Sequence, residues 1–87
     1  MANKVYFAEN LRYLRNERGL TQVQLAKELG VTRSRIGSYE EKRSEPSLEV
    51  VIQIAEYFGT PVDLFITMNL VGSKQQLFYK KGVVHVG

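Results

Sequence analysis

Apolar residues recur three and four positions apart from Phe7 to Ile66, interrupted by a turn signal about every ten to fifteen residues. The period is helical, because roughly 3.6 residues per turn bring positions i, i+3, i+4 and i+7 onto one face. Five short helices are predicted. The first runs from about Phe7 to Arg18, with Phe7, Leu11 and Leu14 facing inward and Gly19 just past its end. Thr21 caps the second, with Gln24 three residues on to complete a capping box, and Leu25, Ala26 and Leu29 form its apolar stripe before Gly30. Thr32 caps the third, whose Ile36 points inward and which fades around Glu40 and Glu41. Pro46 and Ser47 open the fourth, in which Leu48, Val51, Ile54, Ala55 and Phe58 make the core-facing stripe up to Gly59. Thr60 and Pro61 read as N-cap and first residue of the fifth, with Asp63 near its positive end and Phe65 and Ile66 closing the core.

The pattern changes after Asn69. Gly72-Ser73 reads as a break, and Gln75 to Val86 is rich in β-formers around Lys80-Lys81-Gly82. A lone hairpin is marginal in water, so the segment reads either as a strand or small hairpin or as a mobile terminus. The expected fold class is all-α: residues 1–69 as one five-helix domain and residues 70–87 as a C-terminal tail. A length of 87 residues has room for one core and a short appendage, since chains of this size already struggle to bury enough surface.

Composition narrows the class. The 44% apolar and 24% charged residues are ordinary for a soluble globular domain, and no apolar run approaches the ~18 residues of a membrane span. Lys4, Glu9, Arg12, Arg15, Glu17 and Arg18 interrupt the first twenty residues, unlike a secretory signal. A cytoplasmic protein without a membrane partner is expected. The chain has no cysteine, a single histidine (His85) and a single aspartate (Asp63), and no glycine-rich phosphate loop or nucleophile elbow. Ser34 and Ser38 have no base near them in sequence. No metal site, cofactor or enzymatic activity is therefore expected.

The net charge of +3 is unevenly spread. Residues 1–43 hold nine Lys/Arg against five Asp/Glu, residues 44–69 hold four acids and no base, and residues 70–87 hold three lysines and no acid. A basic half beside an acidic half suits one face turned to a polyanion and another kept off it. Within the basic half, the stretch from Thr21 to Ile36 predicts two short helices joined through Gly30 by a tight turn, with Ala26, Val31 and Ile36 packed beneath. The second helix of such a pair projects, and its ~10–12 Å width fits the ~12 Å major groove of DNA. Its outer side carries Arg33, Ser34, Arg35 and Ser38.

Taken together, Leu11-Arg-Tyr-Leu-Arg15, Gly19-Leu20-Thr21-Gln22, Leu25-Ala26, Gly30-Val31-Thr32, Ile36, Tyr39-Glu40, Pro46-Ser47-Leu48-Glu49 and Ile54-Ala55 resemble the Cro and phage-repressor (XRE) family over residues 8–66. The resemblance implies a lambda-repressor-like domain acting as a sequence-specific regulator of transcription, a repressor, on double-stranded DNA. It implies that Gln22 bonds a phosphate, that Arg33, Ser34 and Ser38 read bases, and that Arg35, Lys42 and Arg43 meet phosphates. Gly37 is grouped with the base readers, its glycine explained either by close approach to the groove or by avoidance of a clash. Arg15 and Glu40 occupy the positions of a buried structural ion pair. Two departures stand out: Lys42 takes a place where the family often has glycine, and Glu41 adds a second acid after Glu40. Val50, Ile52, Tyr57 and Leu64 are left apolar on the outer faces of the last two helices, where the family often forms dimers. A homodimer on a palindromic operator follows from the resemblance, with recognition helices ~34–36 Å apart. Two rival expectations are an antitoxin whose tail binds a toxin as protein partner, and the DNA-binding fragment of a longer sensor repressor.

Overall fold

Three hydroxyl side chains set the helix starts. Thr21, Thr32 and Ser47 each accept from the backbone amide three residues on, at 3.0, 3.1 and 3.2 Å, in the computed structural model, which describes residues 6–71. Each bond satisfies one of the amide donors that a helix leaves without a partner in its first turn. At Thr21 the bond is reciprocated, since Gln24 Oε1 accepts from the Thr21 amide at 2.8 Å. The described residues form five helices: α1 (Phe7–Glu17), α2 (Gln22–Leu29), α3 (Arg33–Glu40), α4 (Leu48–Phe58) and α5 (Val62–Thr67).

The α2–α3 turn depends on Gly30, whose φ of +73° is left-handed and costs a glycine nothing. With Gly30 in that state, its own amide reaches the Lys27 carbonyl and the Val31 amide reaches the Ala26 carbonyl, so the helix ends abruptly. The same closure ends α4, where the Thr60 amide bonds the Ala55 carbonyl at 2.9 Å. The Thr60 amide thus takes part in the closure of α4. The expectation that it caps α5 is corrected: Pro61 holds that position, without a side-chain cap bond, and the helix starts at Val62.

The core comprises Phe7, Leu11, Leu25, Ala26, Leu29, Ile36, Tyr39, Val51, Ile54, Ala55, Phe58 and Phe65. Phe7 is its hinge-pin, meeting Tyr39 of α3 and Phe65 of α5 edge-on at 5.8 and 5.3 Å between ring centres. Leu48 departs from expectation, being 61% exposed at the first residue of α4, while Val51, Ile54, Ala55 and Phe58 are buried as predicted. Asn10 is fully buried on α1. Its amide donates to the Phe65 and Met68 carbonyls at 2.7 and 2.8 Å, and its oxygen accepts from the Leu70 amide at 3.0 Å. One side chain thus ties the end of α5 to α1.

No helix of the described residues is long and apolar enough to cross a membrane. Leu70 and Val71 are helical. The strand or hairpin expected over residues 75–86 lies outside the described residues, as does His85.

Candidate nucleic-acid interface

Helix α3 has two unlike sides. Ile36, Gly37, Tyr39 and Glu40 are buried, which anchors the helix against α1 and α2, while Arg33, Ser34 and Arg35 are exposed and Ser38 is partly so. Because the Thr32 cap fixes the first turn, the exposed residues stand on an ordered backbone. Among the described residues no carboxylate pairs with Arg33 or Arg35, so their donor forks remain available to an outside acceptor.

The inner side is organised by Glu40, whose side chain is fully shielded. Arg15 Nε and Nη2 donate to its two carboxylate oxygens at 2.7 and 3.0 Å, and Arg15 Nη1 reaches the Leu20 carbonyl at 2.8 Å. Gln22 Nε2 donates to Glu40 Oε1 at 3.0 Å, and Arg12 Nε approaches the same oxygen at 3.4 Å. Burial would raise the Glu40 pKa, but the hydrogen bonds from Arg15 and Gln22, with the positive charge of Arg15, outweigh it and hold the carboxyl below its usual range. A charged carboxylate thus joins α1, the start of α2 and the end of α3. Gln22 spends one amide hydrogen there and keeps the other.

Gly37 faces inward, toward Gln22, and stands apart from the exposed side of α3. A methyl group on it would lie 3.7 Å from Gln22 Oε1, an ordinary contact, so avoidance of a clash does not explain the glycine.

At the far end of α3 the cations are held. Lys42 has φ +62°, alone among the described non-glycine residues in being left-handed, a state costing a residue with a β-carbon roughly 1–2 kcal/mol. Its ammonium is 2.8 Å from Glu9 Oε2 of α1, and the hydrogen bond from Lys42 lowers the Glu9 pKa against a smaller opposing effect of burial. Arg43 is 3.1 Å from Glu41 and donates to Ser38 Oγ at 3.3 Å. Glu41 therefore faces a cation of its own chain.

Of the four residues expected at a dimer surface, Ile52 and Leu64 are each 37% exposed, whereas Val50 and Tyr57 pack partly against the core. Tyr57 also stacks edge-on with Phe58, and the Arg18 guanidinium lies over both rings at 5.5 and 5.2 Å. Met68 and Val71 are further exposed apolar residues near the end of α5. Among the described residues no group of three or more histidine, cysteine, aspartate or glutamate side chains could hold a metal ion.

Sequence reasoning missed Asn10, Arg12 and Glu9. Asn10 left a trace, as a polar residue three positions after Phe7 and beside Leu11 on the buried stripe. Glu9 left none, since its partner is 33 positions away.

The helix-turn-helix family profile matches residues 11–65. An uncharacterised HTH-type transcriptional regulator of Methanocaldococcus jannaschii is 44% identical over 57 residues, covering 64% of this chain and 86% of that protein. The cryptic phage CTXphi transcriptional repressor RstR of Vibrio cholerae is 36% identical over 56 residues, covering 64% of this chain. The chain spans only 50% of RstR's length. The crystal structure of ClgR, a clp gene regulator from Corynebacterium glutamicum, superposes with a TM-score of 0.67 over 99% of this chain and 89% of its own, at 21% identity. At that identity the likeness is one of fold.

Proposed function

Because the chain belongs to the helix-turn-helix family, in its XRE branch of DNA-binding transcriptional regulators, we propose that it is a repressor that binds a palindromic operator as a dimer and reads bases with the outer side of α3. The observation that carries this reading is the pair of exposed, unneutralised arginines in the first turn of a helix whose opposite side is locked into the core. Arg33 is the principal base reader, its planar fork matching guanine O6 and N7 and discriminating by about 1–3 kcal/mol. Ser34 and Ser38 add hydroxyl contacts. Gln22 offers its second amide hydrogen, and the start of α2 its backbone donors, to a phosphate. Arg35 and Arg43 meet flanking phosphates, and Lys42 does so only to the extent that its pair with Glu9 opens. Gly37 faces Gln22 and so lies on the phosphate side of the site, apart from the base readers.

In this reading Ile52 and Leu64, the more exposed, form the centre of the dimer contact and Val50 and Tyr57 its partly buried margin, and a palindromic operator requires the two α3 helices to meet successive major-groove faces. Selection of bound duplexes from a random pool tests the whole reading. A palindrome bound by a species of twice the monomer mass is expected. Enrichment of no sequence, or a monomer mass both free and on the selected duplex, contradicts it.

A further inference from the structure

The cations around α3 fall into two sets. Arg33 and Arg35 at its start meet no carboxylate among the described residues, while Lys42 and Arg43 past its end are each held by one. Arg43 pairs with Glu41, two positions away, where adjacency alone brings them together. Lys42 and Glu9 are 33 positions apart, and Lys42, left-handed just past α3, meets Glu9 of α1 across the packed helices.

We infer that Glu9 is a positioning residue for Lys42, its carboxylate holding the ammonium off duplex phosphates and so lowering the sequence-independent part of DNA affinity; the inference rests on the reading of α3 as the DNA-contacting helix. A carboxylate oxygen at 2.8 Å occupies the ammonium as a phosphate oxygen would, so Lys42 serves one or the other. Both side chains are largely exposed, at 62% and 46%, which makes the restraint weak and graded. Freed, Lys42 joins the phosphate contacts and releases one more counterion on binding. Phosphate contacts carry no base information, so operator and random duplexes gain by the same factor.

The test is a double-mutant cycle on the full chain, with binding to a random-sequence duplex and to the selected operator followed by fluorescence anisotropy at several salt concentrations. Glu9→Gln is expected to tighten binding to both duplexes about two- to five-fold, the range of an exposed ion pair, and to steepen the salt slope by about 0.9. In a Lys42→Met background Glu9→Gln is expected to change neither. An equal gain in both backgrounds means that removing a negative charge acts alone and overturns the inference, as does an unchanged slope in Glu9→Gln. Failure of the wild-type protein to bind any duplex overturns the DNA-contacting reading itself. That result is distinguishable, because it appears before any variant is compared.

Discussion

Glu40 carries the largest concentration of polar bonds in the molecule's centre, and its energetics differ from those of the surface pairs. A shielded carboxylate is tolerable because Arg15, Gln22 and Arg12 converge on it, so removing it strands a guanidinium that is only 12% exposed. Breaking such a pair costs about 3–5 kcal/mol, and Glu40→Ala is expected to lower the thermal midpoint accordingly in a calorimetric scan. The same group gives a pH signature. The folded-state pKa is depressed, so the unfolded chain binds the proton more readily and stability rises with pH across the window between the two values. Stability contributed by Glu40 is complete above the free glutamate range of ~4.3 and disappears as pH falls through the lower folded value. Wild-type melting should therefore fall more steeply below that range than melting of Glu40→Gln. Gly37 provides the opposite case. Alanine there makes an ordinary contact with Gln22 and removes the helix-interior cost of glycine, about 1 kcal/mol, so Gly37→Ala should raise the melting temperature by roughly 4–8 °C. A lower melting temperature would mean that the space beside Gln22 is not available.

Among elements, what sequence reveals is what is local. The caps at Thr21 and Thr32 and the closing glycines at Gly30 and Gly59 each act within a few residues, and the structure has them as the sequence predicts, while Ser47, expected only to open α4, is its cap. Leu48 shows the limit. It lies three positions before Val51 and so shares its angular face, but periodicity gives direction and not where the neighbouring helix ends. Leu48→Ala should cost less than about 0.5 kcal/mol, while Ile54→Ala, six positions further along the same helix and 1% exposed, should cost about 2–5 kcal/mol by chemical denaturation. Comparable losses would place Leu48 back in the core. The bonds of Asn10, marked in the sequence only by a polar residue on the buried stripe, and the unmarked Glu9–Lys42 pair escape the sequence for a related reason. Both join residues far apart in sequence through a geometry that only the packed helices create. The Arg15–Glu40 pair, 25 positions apart, is also non-local, and it is legible only through the resemblance to a family.

At the scale of the molecule the division of charge takes on a shape. The basic first half of the sequence supplies α1 to α3, the helix-turn-helix among them, and the acidic stretch over residues 44–69 supplies α4 and α5. A duplex approaching the helix-turn-helix meets exposed arginines at the start of α3 and restrained cations at its end. Such a field speeds encounter without selecting sequence, which leaves recognition to the few side chains that reach base edges. The direct measurement is methylation protection of guanine N7 on the selected operator, because N7 lies in the major groove. Protected guanines are expected in both half-sites, with protection of one symmetric pair lost in Arg33→Ala while the protein still binds. Guanines that methylate freely beneath the bound wild-type protein, or protection unchanged by Arg33→Ala, would contradict base reading by α3.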